Sequence, residues 1–302
     1  MSTKMIDLSR IPPPDIVENI DPEKILQEWI AALVAGDAAY DGLLESDPAY
    51  IQGEAISNRE SLLRQRVNEA IRAVLLASSK GDDLDQLGGN FGVERLITAP
   101  AQPDAIPPVD AVYESDDAYR ERIQLSWSRL STAGAWDAYK YFASGADGDV
   151  LDVEAYGPET HGMPGQVLIY VLSRTGDGTA SSELIAAVHA AVNSKEVRPI
   201  TDYVTTQSAG IVPYGVVADV YIPYGLDADV VMDTARKALD MYTESVHRVG
   251  GVVAHSGIDG SLHQPGVVRV VIHEPPDDIL CNMGEAPWCR GIELNKVIFN
   301  GD

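Results

Sequence analysis

The sequence has few cysteines and no long apolar run. Only two of its 302 residues are cysteine, Cys281 and Cys289, and in a cytosolic protein such thiols stay reduced rather than bridged. Their spacing fits neither paired Cys-x-x-Cys ligation nor a His-Glu-x-x-His motif, so no metal site and no cofactor are expected. No segment reaches the roughly 20 apolar residues of a membrane span. No apolar signal segment follows Lys4, so we expect neither membrane insertion nor secretion.

Basic residues are scarce compared with acidic ones. The chain carries 46 Asp and Glu residues against 22 Lys and Arg, which gives a net charge of −24 at pH 7. A surface of that sign repels phosphate backbones, so nucleic-acid binding is not expected. The charge either serves solubility alone or also keeps a subunit apart until a partner surface neutralises it. Net charge does not decide between these two interpretations.

Sequence signatures of enzymatic chemistry are also missing. The chain has no Gly-x-Ser-x-Gly elbow, no Gly-x-Gly-x-x-Gly loop and no Gly-Lys-Ser/Thr phosphate loop, and its six histidines are scattered. Acidic clusters are abundant, but a glycosidase needs two carboxylates at a set separation in a cleft, which a sequence does not reveal. We therefore predict no catalytic residues. Two alternatives stay open: a cell-envelope carbohydrate hydrolase that uses an acidic residue pair, and a cytoplasmic adaptor protein.

Helical periodicity dominates the chain up to about residue 148. Asp21 and Pro22 form a good helix start, and that helix is predicted to end near Gly36. Further helices are predicted over Glu54–Lys80, Leu84–Phe91, Asp116–Leu130 and Ala135–Ala143. Ala99–Val112 contains four prolines and no helical period, which predicts a surface connection.

The longest predicted helix, Glu54–Lys80, has an apolar face. That face consists of Ile56, Leu63, Val67, Ile71 and Val74. Residues at this spacing lie on one side of a helix, and an apolar side is normally covered. Two interpretations remain: the helix packs across its own domain, or it also pairs with a second subunit.

From about residue 150 strands alternate with helices. Strands are predicted at Val150–Tyr156, Gln166–Leu172, Ile200–Thr206, Val216–Ile222, Val267–His273 and Val297–Phe299. Helices are predicted at Ser181–Asn193, Ala228–Val246 and Gly257–His263. Pro213-Tyr214-Gly215 and Pro223-Tyr224-Gly225 are predicted to be turns at the two ends of one strand.

The order of these elements predicts an α+β fold, with a helical N-terminal part followed by two small mixed α/β lobes, because the strand–helix–strand order occurs twice. We expect an N-terminal arm and short helix at 1–50 and a helical core domain at 51–148. The two lobes are expected at 149–210 and 211–302.

Three groups of motif residues follow one another along the chain. The first is Leu84-Asp85-x-Leu87-Gly88 with Gly92-Val93-x-Arg95, the second is Glu114-Ser115-Asp116 with Arg120-x-Arg122, and the third is Gly134, Tyr139 and Pro164-Gly165. Glycines of this kind supply positive φ angles, Asp and Ser cap helices, and arginines bridge carboxylates.

Together, and in this order, the motifs resemble the J-type baseplate family of contractile-tailed bacteriophages, from about residue 50 to the C-terminus. The resemblance implies a structural wedge subunit, with 51–148 as its wedge domain, in a ring around the central hub and spike. It also implies three kinds of partner: other copies of this chain, a second baseplate wedge protein and a small lysozyme-like baseplate protein. The implied location is the tail baseplate of the virion, after assembly in the host cytoplasm. The first 50 or so residues lie outside the matched part.

The matching positions are the predicted scaffold or interface residues. They are Leu84, Asp85, Leu87, Gly88, Gly92, Arg95, Asp116, Arg120, Arg122, Gly134, Tyr139 and Gly165. The three arginines either form ion pairs inside the chain or cross a subunit boundary. Because the implied ring must rearrange when the tail contracts, we predict hinges between the helical part and the lobes, at Ala99–Val112 and Gly157–Gly165.

Overall fold

The computed structural model describes residues 6–131, 136–225 and 227–299, and these form two compact units. One unit contains residues 6–94 and the other residues 95–299 of the described chain. The predicted α+β class is confirmed, with a helical N-terminal part followed by small sheet-containing regions. The predicted boundaries at 50, 148 and 210 stay predictions.

The unit of residues 6–94 is built from helices. They are α1 (Pro22–Gly36), α2 (Pro48–Ala73) and α3 (Gly81–Asn90). The Asp21 side chain caps α1 by accepting a hydrogen bond from the backbone N–H of Glu23 at 3.0 Å, as its sequence predicts. The bounds predicted for the second helix are wrong, because a proline occupies the first turn at Pro48 and the helix ends before Val74.

α2 packs against α1 through small and polar residues. A Cβ atom at Gly53 would lie 2.6 Å from the ring of Trp29, so only glycine allows this approach of the two helices. One turn further, the buried Ser57 hydroxyl donates to the carbonyl of Pro22. The face of α2 that is buried within this unit is therefore not its apolar face.

Asn68 fixes the chain before α1 to the same face of α2. Its side-chain oxygen accepts from the backbone N–H of Glu18 at 3.1 Å, and its amide donates to the Glu18 carbonyl at 2.9 Å. Arg64 forms an ion pair with the Glu18 carboxylate at 3.1 Å. The Asn68 amide thus pairs with both backbone groups of Glu18, as a neighbouring strand would, and holds this segment of the chain against α2.

The segment predicted as a surface connection is a β-hairpin, which we call the hairpin (residues 97–113). Its strands are β1 (Ile97–Ala99) and β2 (Val112–Tyr113), and Gln102 and Val109 form a further antiparallel bridge. The base is closed by a bond from the Glu114 N–H to the Leu96 carbonyl at 3.0 Å. A segment whose ends are bonded to each other does not separate two domains, so the structure does not support the predicted hinge here.

Two helices follow the hairpin, α4 (Asp116–Leu125) and α5 (Trp136–Ser144), and residues Ser126–Leu130 between them form a 3₁₀ turn. The Ser115 hydroxyl caps α4 by accepting from the Ala118 N–H at 3.3 Å. The predicted helix over Asp116–Leu130 therefore ends earlier than expected, and Trp127 and Leu130 in the 3₁₀ turn are both exposed.

The first lobe is a three-stranded sheet in the order β3-β4-β5. Its elements are β3 (Val150–Tyr156), α6 (Pro158–His161), β4 (Gln166–Ser173), α7 (Ser182–Val192) and β5 (Tyr203–Ser208). β4 pairs antiparallel with β3 and parallel with β5, and α7 provides the crossover that parallel pairing requires. The predicted hinge at Gly157–Gly165 is wrong, because this segment connects two hydrogen-bonded strands of one sheet.

The second lobe has a larger sheet in the order β10-β6-β8. Its elements are β6 (Gly210–Pro223), α8 (Ala228–Val246), β7 (Val252–Val253), α9 (His255–Leu262), β8 (Arg269–Glu274), β9 (Ile279–Leu280) and β10 (Glu285–Phe299). The central strand β6 runs parallel to β10 and antiparallel to β8. The turn predicted at Pro213-Tyr214-Gly215 is wrong, because these residues continue β6 and the Tyr214 side chain is buried.

The two lobes share a small core and a single connecting residue. Ala209 alone separates β5 from β6, and it packs with Leu172, Val249 and Ala286. The Val249 N–H donates to Asp152 Oδ2 at 2.9 Å, which ties the second lobe to β3. These contacts fix the lobes to one another.

Candidate functional site

A buried carboxylate lies between the hairpin and α4. The side chain of Glu114 is only 2% exposed, and its Oε1 accepts from the backbone N–H of Leu96 at 2.9 Å. Nη2 of Arg122 lies 3.4 Å from the same oxygen. A buried carboxylate is stable only with such partners. The hydrogen bond from Leu96 holds the end of β2 against the beginning of β1, and the ion pair with Arg122 holds it against α4.

Arg95 completes this group, which we call the Glu114 cluster (Arg95, Glu114, Asp116, Tyr119 and Arg122). One Arg95 nitrogen donates to the Glu114 carbonyl at 2.9 Å, and another lies 2.8 Å from Asp116 Oδ1. Its guanidinium carbon is 4.7 Å from the centroid of the buried Tyr119 ring, and that of Arg122 is 5.9 Å away. Ion pairs and cation–π contacts therefore lock the hairpin base to α4.

The three predicted arginines all have partners inside the chain. The side chains of Arg95 and Arg122 are 13% and 10% exposed, and both belong to the Glu114 cluster. Arg120 is 13% exposed and pairs with Asp117 at 2.5 Å. This geometry favours the interpretation that they stabilise the subunit itself, and a role at a subunit boundary stays a prediction.

The first motif forms α3 and its C-terminal stop. Leu84 and Gly88 are buried, whereas Asp85 and Leu87 are half-buried. Gly92 adopts φ +65° directly after the helix, and the next residue, Val93, donates its N–H to the Gly88 carbonyl at 3.0 Å. This is the glycine helix stop that the motif predicts, and it directs Val93 into the core.

Tyr139 and Gly165 meet at the first lobe. The buried Tyr139 hydroxyl donates to Asp202 Oδ2 at 2.8 Å, and burial together with this carboxylate raises the pKa of Tyr139. Gly165 has φ +73°, and its carbonyl accepts from the Tyr203 N–H at 2.7 Å. Both positions organise the sheet around β5. Gly134, which the sequence predicts to begin the next helix, lies outside the described residues.

A cleft of about 210 Å³, which we call the cleft, opens beside Glu114. Its cationic lining residues are Arg122, Lys140, Arg174 and Arg248. Burial lowers the pKa of Lys140, but nearby Asp152, Glu154 and Glu121 outweigh that effect and the net shift is upward. Lys140 lies 2.7 Å from Glu154, so its ammonium is held as a charged binding group and not as a base.

The apolar face of α2 is exposed, which argues against the first of the two interpretations, a helix that packs this face across its own domain. Ile56, Leu63, Val67 and Val74, which we call the α2 stripe, are between 46% and 66% exposed, and Ile71 is half-buried. The sequence predicted which residues share this face. It did not predict that the face stays exposed, because small and polar residues on another side of α2 take the contact with α1.

Two further observations concern sites that the sequence argued against. In residues 6–131, 136–225 and 227–299, no group of His, Cys, Asp and Glu side chains is arranged to hold a metal ion. Within the same ranges no helix is long and apolar enough to cross a membrane.

The family of the chain follows from comparison with known proteins. Residues 45–102 match the baseplate J-like N-terminal domain, and residues 131–208 match the baseplate J-like central domain. The first match contains α2, α3 and Arg95, and the second contains Tyr139 and the first lobe. The chain belongs to the baseplate J-like family and is a structural protein of a phage tail baseplate.

A full-length relative supports the same assignment. Baseplate protein J of Escherichia phage P2 is 42% identical over 292 residues, which cover 94% of this chain and 95% of that protein. A match of that extent reaches into the first 50 residues. The expectation that this segment lies outside the similarity is therefore wrong.

Sequence reasoning missed two partners that the structure reveals. Asp202 lies 63 residues from Tyr139, and no local pattern connects them. Glu114 was recognised only as part of a helix-capping motif, although its carboxylate is the centre of the cluster. A signal was nevertheless present. Glu114 lies between an apolar strand and a capped helix, and two arginines follow six and eight residues later, which indicates a buried partner.

Proposed function

We propose that this chain is a wedge subunit of a contractile phage tail. In this proposal, copies of the chain and a second wedge protein form a ring around the central hub and spike, next to a small lysozyme-like baseplate protein. The ring assembles in the host cytoplasm and rearranges when the tail contracts. The exposed α2 stripe is the observation that supports the proposal, because a wedge requires a subunit interface on a rigid element.

The spacing of the α2 stripe is that of a helix-packing seam. Its members are separated by seven, four and seven residues, which correspond to a and d positions of a heptad. Within α2 the stripe extends from Ile56 to Val67, about 17 Å at 1.5 Å per residue, and Val74 follows directly after the helix. An exposed seam of this length fits a second helix lying along α2.

The charges beside the seam favour a different chain as the partner helix. Arg59 and Arg66 are exposed and occupy the flank of the seam away from α1. If two copies of α2 paired antiparallel, these arginines would face one another, and in a parallel pair Arg59 would face Arg64. A helix with acidic flanking residues avoids this repulsion, so we assign the α2 stripe to the second wedge protein.

The test uses a phage with a nonsense codon at Tyr40, complemented from a plasmid. We expect no baseplates and no contractile tails without the plasmid, and normal particles in electron micrographs with the natural chain. Leu63→Asp should fail to restore tails, because it places a charge in the seam. Leu62→Asp is the matched control, since Leu62 is also exposed but lies about 100° around the helix from Leu63.

Complete baseplates without this chain would refute the proposed function. If Leu63→Asp and Leu62→Asp restored tails equally well, the chain would remain a baseplate protein but the α2 stripe would not be its interface. Circular dichroism of both purified variants separates loss of assembly from loss of folding.

A further inference from the structure

We propose that the hairpin of one copy inserts its tip into the cleft of a neighbouring copy, so that copies join head to tail. The inference rests on the proposed function, and it names the contact between copies that a ring requires. The hairpin and the cleft both belong to the unit of residues 95–299.

The hairpin is an exposed apolar projection. Ile106 at its tip is fully exposed, and Ile97, Val109, Val112 and Tyr113 along its strands are each about half exposed. A two-stranded hairpin without a covering layer is marginally stable in water. Here the Glu114 cluster fixes its base, so the projection is held ready for a partner instead of being packed on its own subunit.

The hairpin is unsuited to binding by strand addition. Its four prolines, Pro100, Pro103, Pro107 and Pro108, lack N–H groups and all lie between β1 and β2. β1 and β2 have only three and two residues, and such short strands bordered by proline offer little edge for a further strand to pair with. The contact must therefore use the side chains of the tip.

The charges of the hairpin and the cleft are complementary. Residues 97–113 include Asp104 and Asp110 but no Lys or Arg. In the cleft, the Arg174 side chain donates to the Gly148 carbonyl at 3.0 Å, and among the residues the structure describes no carboxylate lies within 4.0 Å of it. Arg248 lies 3.9 Å from its carboxylate partner. Both guanidinium groups have donors for an incoming aspartate.

The acidic residues of the cleft do not cancel this attraction. Glu114 is paired with Arg122, and Asp117 with Arg120. Glu121 interacts with the ammonium of Lys140. Asp152, the fourth acidic residue of the lining, accepts from the Val249 N–H at 2.9 Å and lies 3.9 Å from Arg248.

The cleft also offers an apolar wall for Ile106. Leu125 and Val150 are buried residues of its lining, and the cleft volume of about 210 Å³ admits a side chain of that size. Interface energy concentrates where a side chain fills a well-packed pocket, and arginine is enriched at such places.

The cleft that receives the tip belongs to another copy. Glu114 at the base of the hairpin itself lines the cleft, whereas the tip is fully exposed. The chain from Ile97 to Gln102 spans at most roughly 17 Å, and the turn that carries Ile106 lies beyond the Gln102–Val109 bridge, so the tip is held away from its own base. A contact between two different surfaces of identical chains is heterologous, and its repetition by rotation closes a ring.

The test is cysteine cross-linking in assembled tails, with Cys281→Ser and Cys289→Ser as the background. One plasmid supplies copies with Ile106→Cys and another supplies copies with Ser144→Cys, since Ser144 lines the cleft. A short bismaleimide should give a covalent dimer when both kinds of copy are present. A single chain carrying both substitutions should give a ladder of multimers. Pairing Ile106→Cys with Met241→Cys, an exposed position on α8, should give no dimer.

Tails that contain the chain but give no dimer between positions 106 and 144 would overturn this inference and leave the proposed function intact. A dimer between positions 106 and 241 that forms as readily as the one between positions 106 and 144 would also overturn this inference and leave the proposed function intact. Absence of the chain from purified tails would instead refute the proposed function. Ile106→Asp should also lower the number of complete tails, whereas Ile106→Val should not.

Discussion

Replacing Glu114 with alanine should destabilise the unit of residues 95–299 strongly. The substitution removes one partner of a buried ion pair, and with it the carboxylate that faces Arg122 and accepts from the Leu96 N–H. Breaking a buried pair in this way costs about 3–5 kcal/mol. At about 2–4 °C per kcal/mol for a unit of about 200 residues, the melting temperature should fall by roughly 6–20 °C.

Asp117→Ala is the matched control for this prediction. Asp117 also pairs with an arginine on α4, but its side chain is 95% exposed. Exposed ion pairs contribute about 0.2–1 kcal/mol, so the control should lower the free energy of unfolding by no more than that. The comparison isolates burial, because both variants remove one carboxylate from the same helix start.

The assay is thermal and urea unfolding followed by tryptophan fluorescence in a Trp29→Phe background. The remaining tryptophans, Trp127, Trp136 and Trp288, then all lie in the unit of residues 95–299. Equal losses for Glu114→Ala and Asp117→Ala would refute the reasoning. A further check is Glu114→Leu combined with Arg122→Met, which should recover most of the lost stability, because the double substitution replaces both charges of the buried pair with apolar side chains.

Two other predictions concern the lobes. Because the pKa of Tyr139 in the folded state lies above its ordinary value of about 10, its protonated hydroxyl stabilises the fold fully below that pH and less as pH rises towards the folded pKa. Tyr139→Phe should lower the urea midpoint at neutral pH, because the bond to Asp202, worth about 0.5–1.5 kcal/mol, is lost. It should also weaken the decline of stability at alkaline pH. An unchanged alkaline stability profile would contradict this assignment. Gly284→Ala should cost roughly 2–5 kcal/mol in the free energy of unfolding, because Gly284 has φ +75° and an added Cβ would lie 2.1 Å from the Tyr170 ring. Gly260→Ala, where an added Cβ meets no atom within 4 Å, should be neutral or stabilising, and similar losses for both variants would argue against a close contact at Gly284.

Local patterns predicted most of the secondary structure of the lobes. The bounds predicted for β3 and α8 agree with the structure, because a strand with alternating burial and an amphipathic helix with an Asp cap both carry strong local signals. β10 was predicted only at its last three residues, since Gly291 and charged residues interrupt the pattern upstream. Pairing with β6 along its whole length, and not local preference, makes that segment a strand.

Tertiary contacts were harder to predict for a physical reason. Periodicity shows which residues of α2 share a face, but it does not show that Gly53 and Asn68, on a neighbouring side of the helix, take the contact. Likewise, the prolines of residues 97–113 exclude a helix without indicating that Leu96 and Glu114 bond to each other. The motif positions were identified from the sequence, whereas their partners come from residues distant along the chain.

The single residue between β5 and β6 has a consequence for how the subunit carries force. Because Ala209 is the single residue between β5 and β6, tension along the chain between the two lobes passes directly into the axis of the long strand β6. β6 is bonded on both sides, to β10 and to β8, so such a load acts in shear on many hydrogen bonds at once instead of peeling them one by one. The joint between the lobes is therefore a stiff tether that transmits the pull of one lobe to the other with little extension.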